Sequence, residues 1–232
     1  MSELTVNPIG TVHSCYSEKF GIPRQPGLVP AAKARIEILP PFNRPEAFAG
    51  IEQHSHLWLE FVFHQNIRSQ WKASVRPPRL GGNQKMGVFA TRSSFRPNNL
   101  GLSVVKFEQL IIQGSKIFVE VSGIDLLDQT PVIDIKPYIP YSDSLVNAQS
   151  QLASAAPEML QVNLSQSAKL FCQQWQHPLC DDLSSLIQQV LAQDPRPAYQ
   201  QDAERIYGMQ LFDLNIRFQI DNGLVKVIEI VE

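Results

Sequence analysis

The chain has 232 residues, of which 44% are hydrophobic and 18% charged, with a formal net charge of −2. This is the composition of a soluble globular protein, long enough for a real core and one or two domains. No apolar run approaches the roughly 18–20 residues that span a bilayer, and MSELTVNPIGTVHS has no basic or long apolar region, so no membrane association and a cytoplasmic location are expected.

The small net charge hides an asymmetry. Residues 1–108 hold 13 Lys/Arg against 7 Asp/Glu, and residues 109–232 hold 7 against 15. Between Glu60 and Glu108 there is no acid but eight bases: Arg68, Lys72, Arg76, Arg79, Lys85, Arg92, Arg96 and Lys106. Such a segment suits a polyanion, and the nearby Trp71, Phe89 and Phe95 suit stacking on exposed bases. Cys15, Cys172 and Cys180 cannot all pair within one chain and show no metal-ligand spacing, which fits free thiols in a reducing compartment.

In chain order, residues 4–13 read as a first strand. Residues 18–30 form a Pro/Gly-rich loop in which the Gln25-Pro26-Gly27 turn lets backbone approach a ligand. Residues 34–39 read as a strand, and 44–52 as one or two helical turns begun by Pro45. His56 to His64 is the most β-prone run and crosses the centre of a sheet. His54, His56 and His64 lack a partner Cys or an HExxH pattern, so no metal is assigned. A basic loop, 75–85, leads into GVFATRSSFRPNNLGLSVV (87–105). There Val88-Phe89-Ala90 reads as a short buried strand, while Pro97 and Gly101 bar an ordinary helix around Arg92 and Arg96. Residues 102–112 and 116–124 form a hairpin across Gln113-Gly114-Ser115. Asp125, Asp128, Asp134 and Lys136 then fall at strand ends and turns.

This run of short strands, taken to about residue 142, makes the expected fold mainly β, a single-sheet barrel. A linker at 143–158 precedes a small α+β domain at 159–232. There, 159–164 reads as a strand. Helices at 165–176 and 181–192 are capped by Ser165 and Asp181. Strands 209–220 and 224–231 flank Asp221-Asn222-Gly223.

Five motifs permit a family to be named. Pro23-Arg24-Gln25-Pro26-Gly27-Leu28, His54-Ser55-His56-Leu57-Trp58, Arg76-Pro77-Pro78-Arg79-Leu80-Gly81-Gly82, Gly87 to Gly101 and Asp134-Ile135-Lys136-Pro137-Tyr138 resemble the TrmO family (YaeB/TsaA-like) in order and spacing over residues 5–140. The DPRPAY tail is similar to the C-terminal domain of its bacterial members. The resemblance implies a homodimeric β-barrel tRNA methyltransferase of neither the Rossmann nor the knotted class. It would use S-adenosylmethionine to methylate N6 of threonylcarbamoyladenosine at position 37 of the anticodon loop. A chain lacking GxGxxG after a strand agrees with that class.

By the same resemblance, donor contacts fall on Pro26, Gly27, Leu28, His64, Gln65, Arg92, Leu102 and the turn Asp125, Leu126, Leu127, Asp128. Asp134 and Asp128 are the candidate proton acceptors, with an ion pair to Lys136 the structural alternative for Asp134. Arg96, Asn98, Lys136 and Tyr138 are assigned to the modified base, and Arg196 and Tyr199 to the tRNA. The family commonly has RPNPIG where this chain has Arg96-Pro97-Asn98-Asn99-Leu100-Gly101, and often Gly where it has Gln129. If the latter site needs φ > 0, Gln costs about 1 kcal/mol there. Two other classes compete: a non-catalytic RNA-binding barrel, and a metal-dependent hydrolase using His54, His56 and Asp134.

Overall fold

The computed structural model describes residues 5–77, 84–153, 155–196, 202 and 204–232. Strands β1 (Gly10–Ser14), β2 (Lys33–Ile38), β3 (His56–Val62), β4 (Ser74–Val75), β5 (Met86–Gly87), β6 (Leu100–Gln113), β7 (Lys116–Ser122) and β8 (Pro131–Pro137) make up the N-terminal part. Six of them close an antiparallel barrel in the order β1-β2-β7-β6-β3-β8, and β4 pairs with β5 outside it. Closure follows from period-two patterning. Ala34, Ile36 and Ile38, Leu57, Leu59 and Phe61, and Ile117, Val119 and Val121 all turn inward and are buried. A closed ring leaves no open sheet edge.

The long strand β6 serves two neighbours. Its first half pairs with β3 from Leu100 to Lys106, and its second half pairs with β7 from Lys106 to Gln113 across a bulge at Phe107–Gln109. That bulge lets one strand turn the corner of a small barrel. Gly101, opposite Phe61 near the start of β6, is required because a Cβ would stand 2.3 Å from the Phe61 ring.

Antiparallel order decides where the loops go. The β1–β2 loop (15–32), the β3–β6 segment (63–99) and the β7–β8 loop (123–130) all leave from one end of the barrel. The other end has the short β6–β7 turn and the 39–55 connection, which holds two 3-10 turns, Pro45–Phe48 and Ile51–Gln53. One expectation is corrected here. Val88–Ala90 is a 3-10 turn, not a strand. Val88 alone is buried, Phe89 projects outward, and the Thr91 hydroxyl donates to the Val88 carbonyl to close the turn.

After α1 (Pro140–Asp143) comes a second unit. It holds β9 (Gln161–Leu164), α2 (Gln166–Gln174), α3 (Leu183–Ala192), β10 (Tyr207–Leu211), β11 (Leu214–Asp221) and β12 (Leu224–Val231), with sheet order β10-β11-β12-β9. Ser165 caps α2 by accepting from Ala168 N–H. The cap of α3 is Asp182 rather than Asp181. Asp182 accepts from the N–H groups of Ser184 and Ser185, and Asp181 instead pairs with Lys33 of the barrel at 2.6 Å. The strand expected over 209–220 is broken at Phe212, whose φ of 57° turns the chain and lets its N–H donate to the Cys15 carbonyl at 2.8 Å.

Candidate active site

The three-loop end of the barrel gathers most of the expected donor-binding residues. Gly27 N–H donates to the Gly123 carbonyl at 2.7 Å, which ties the β1–β2 loop to the β7–β8 loop. Both glycines have positive φ, 78° and 71°. A Cβ on Gly123 would approach the Gly27 Cα at 3.2 Å, whereas one on Gly27 would meet nothing within 4 Å. The backbone around Gly27 therefore borders open space.

Asp125 sits beside this junction. Its carboxylate accepts from the Ser103 hydroxyl at 2.7 Å. Burial pushes its carboxyl up to about 6, while Ser103 and the nearby Arg92 guanidinium act in the opposite sense. Arg92, from the β3–β6 segment, donates to the Gln25 side chain of the β1–β2 loop. A carboxylate, a guanidinium and a glycine backbone that borders open space thus converge from three loops.

Asp128 shares the rim but has a positioning duty. Its Oδ1 accepts from Ser14 N–H at 3.0 Å, and its Oδ2 accepts from the Gln129 amide at 3.1 Å. Gln129 does adopt φ 63°, the conformation that favours glycine. Leu126 and Leu127 are buried, and the Leu126 carbonyl accepts from Ser14 Oγ. On the far side of the rim, Lys19 donates to the Gln65 carbonyl at 3.0 Å and to the Asn66 side chain. His64 has a pKa below its ordinary value through burial and the Lys19 charge, with Asp128 opposing.

Asn99 takes φ 51°, which a proline cannot adopt. Its N–H donates to the Arg96 carbonyl at 3.2 Å, and its side-chain amide donates to the Asn66 and Ser94 carbonyls at 3.2 and 3.0 Å. The departure from the common family pattern is thereby built into the loop. Arg96 braces the same loop by donating to the Val88 and Thr91 carbonyls. Asn98 lies exposed beside it.

Other expected residues lie elsewhere. Leu102 is exposed on the outer surface, in a cross-strand row with Glu60 and Asp134. Asp134 and Glu60 both hold the Lys136 ammonium, so the ion-pair alternative describes Asp134. Tyr138 is toward the opposite barrel end, its ring 6.4 Å from that of His56 and 5.7 Å from that of Trp58. Arg196 grips Asp194 with two bonds of 2.9 Å, and Asp194 lines one cavity with Lys19 and Arg24 of the β1–β2 loop. Tyr199 and the Pro78-to-Gly82 part of one motif lie outside the described residues. His54 and His64 flank opposite ends of β3, and among the described residues no group of three or more His, Cys, Asp or Glu is arranged to hold a metal.

The sequence reading missed Ser14, Ser103, Gly123 and Lys19. Ser103 carried a signal: it is a polar residue at an inward position of an apolar strand, which calls for a buried partner.

A closed antiparallel barrel with a polar site assembled from three loops on one rim defines a β-barrel protein of the non-Rossmann type. Comparison with known proteins gives the particular family. Residues 11–144 match the tRNA-methyltransferase O N-terminal domain, and residues 157–232 match the TrmO C-terminal domain. The chain belongs to the TrmO family. It is 46% identical over 97% of both chains to a Pseudomonas aeruginosa protein provisionally named an S-adenosylmethionine-dependent methyltransferase, RcsF. It is 42% identical to the Escherichia coli K12 tRNA (adenine(37)-N6)-methyltransferase, covering 98% of this chain and 97% of that one. The crystal structure of TrmO from Pseudomonas aeruginosa superposes with a TM-score of 0.82 at 39% identity, over 100% of this chain and 99% of that one.

Proposed function

We propose that the chain transfers a methyl group from S-adenosylmethionine to N6 of threonylcarbamoyladenosine at position 37 of tRNA. It would act as a homodimer in the cytoplasm. The observation that carries the reading is the rim where Gly27, Arg92 and Asp125 meet. Its donor set suits this cofactor: Asp125 would hold an ammonium or ribose hydroxyls, Arg92 a carboxylate, and the backbone beside Gly27 a flat ring edge. The relatives named above, similar along the whole chain, support the reaction.

The donor supplies an electrophilic methyl carbon, so a C–N6 bond forms as the C–S bond breaks and its electron pair passes to sulfur. The chain has no new charge to stabilise at sulfur; its work is alignment. N6 belongs to a urea-like group and is a poor nucleophile, so its proton must leave as the bond forms. Asp128 stands on the rim, its carboxylate oriented by the Ser14 N–H and the Gln129 amide, and would take that proton. Asp134 is occupied by Lys136. The threonyl carboxylate of the substrate gives the basic β3–β6 segment an anionic target. A homodimer is supported by the exposed Leu100, Leu102, Tyr141, Leu145 and Val146, on and just beyond the outer face of β6, β3 and β8.

Mass analysis of nucleosides from tRNA treated with protein and donor tests this. The expected product is threonylcarbamoyladenosine heavier by one methyl, and no product from tRNA lacking the threonylcarbamoyl group. An unmodified digest, with RNA binding retained, would leave the RNA-binding barrel as the reading.

A further inference from the structure

We propose that Trp71 and Phe89 form a stacking platform for an unpaired RNA base neighbouring the methylated nucleotide, with Arg68, Lys72, Arg76 and Lys85 holding the strand's phosphates. The proposal rests on the tRNA reading above. Trp71 is 53% exposed and Phe89 73% exposed, unusual for such large rings on a soluble surface. They are held together. The β4–β5 ladder pairs Ser74 with Gly87 and Val75 with Met86, and Val88 N–H donates to the Ala73 carbonyl at 2.9 Å. This brings the two rings to a centroid distance of 6.2 Å with planes 35° apart.

The platform is supported from within the loop. The Arg96 guanidinium lies 5.9 Å from the Phe89 ring and is fixed by its bonds to the Val88 and Thr91 carbonyls. Phe89 is also three residues before Arg92, whose guanidinium reaches the donor rim. A base stacked on Phe89 would therefore sit next to the reacting nucleotide.

Charge selects the occupant. Arg68, Lys72, Arg76 and Lys85 are exposed in the same segment as the rings, with the Arg68 guanidinium 3.7 Å over the neighbouring Phe95 ring, and no acid occurs between Glu60 and Glu108. Exposed aromatics in an acid-free cationic field match a single-stranded polyanion with π-faces. A protein partner would need an acidic surface to match this field.

The test is binding of a fluorescent anticodon stem-loop carrying threonylcarbamoyladenosine to the full chain with S-adenosylhomocysteine present. Trp71→Ala and Phe89→Ala should each weaken binding about tenfold, as expected for loss of one base stack. Trp71→Phe should stay close to wild type. Neither alanine change should lower the slope of log K against log salt, whereas Lys85→Ala should lower it by roughly 0.7–0.9. Unchanged RNA affinity in both alanine variants overturns the platform, as does a shift in sedimentation without a loss of RNA affinity, which would assign the rings to a protein contact. S-adenosylhomocysteine affinity equal to wild type shows that a variant is folded. Wild-type protein that transfers no methyl group refutes the parent reading alone; variants that bind RNA normally beside an active wild type refute the platform alone.

Discussion

Asp125 is the residue whose chemistry the structure specifies most sharply. Its folded carboxyl titrates at about 6 against an ordinary 3.8, because burial disfavours the anion. The folded state thus holds the proton more tightly than the unfolded state. The contribution of Asp125 to stability falls as pH rises from the ordinary value through 6 and is flat above it. Donor affinity should move the other way, rising with pH through about 6 as the anion forms. Asp125→Asn should remove this contribution from both profiles, as read by the difference between variant and wild-type denaturation midpoints and calorimetry across pH 4–8. Arg92 is the second determinant. Arg92→Lys keeps the charge but loses the planar fork, so S-adenosylhomocysteine affinity should drop about tenfold; unchanged affinity would remove Arg92 from the site. Asn99 is a structural specialist of the same loop. Asn99→Pro would forbid φ 51° and delete three donated hydrogen bonds, for an expected loss of about 3 kcal/mol in chemical denaturation.

At the scale of elements, the site depends on loops held in register by backbone rather than on any one strand. The Gly27–Gly123 junction makes this testable. Gly123→Ala places a Cβ at 3.2 Å from Gly27 at a φ of 71°, so it should destabilise the fold by about 1–2 kcal/mol and weaken donor binding with it. The elements themselves were largely legible. Alternation in Ile117, Val119 and Val121 marked β7, and the Asp-Asn-Gly turn marked the β11–β12 hairpin, because both signals are local. The bulge in β6, the turn at Phe212 and the 3-10 turn at Phe89 were not. Each is imposed by a distant partner: β7, the Cys15 carbonyl, and the Ala73 carbonyl with Arg96. The family resemblance names Gly27, Arg92 and Asp125 together as donor contacts, and the loops that carry all three leave from one end of the barrel. Spacing alone said nothing of Ser103 or Ser14, which lie far from their carboxylate partners in sequence.

Across the whole molecule, the C-terminal unit docks against the same loops that build the site. Gln189 accepts from Ala31 N–H, Gln193 donates to the Leu28 carbonyl, Glu18 accepts from Gln210 N–H, and Asp181 pairs with Lys33. Gly21 faces Met209 so closely that a Cβ would stand 2.4 Å from its sulfur. The barrel and the second unit should therefore unfold together, with fluorescence and circular dichroism transitions coinciding. Gly21→Ala should lower the common midpoint by an amount equivalent to about 2 kcal/mol. Among the described residues no helix is long and apolar enough to cross a membrane. The central claim is that the three-loop rim holds the methyl donor. Calorimetric titration of S-adenosylhomocysteine into wild-type protein and the Asp125→Asn and Arg92→Lys variants tests it most directly. Wild type should bind one donor per chain, and each variant about tenfold more weakly with folding retained. Wild-type affinity in both variants would place the donor elsewhere and contradict it.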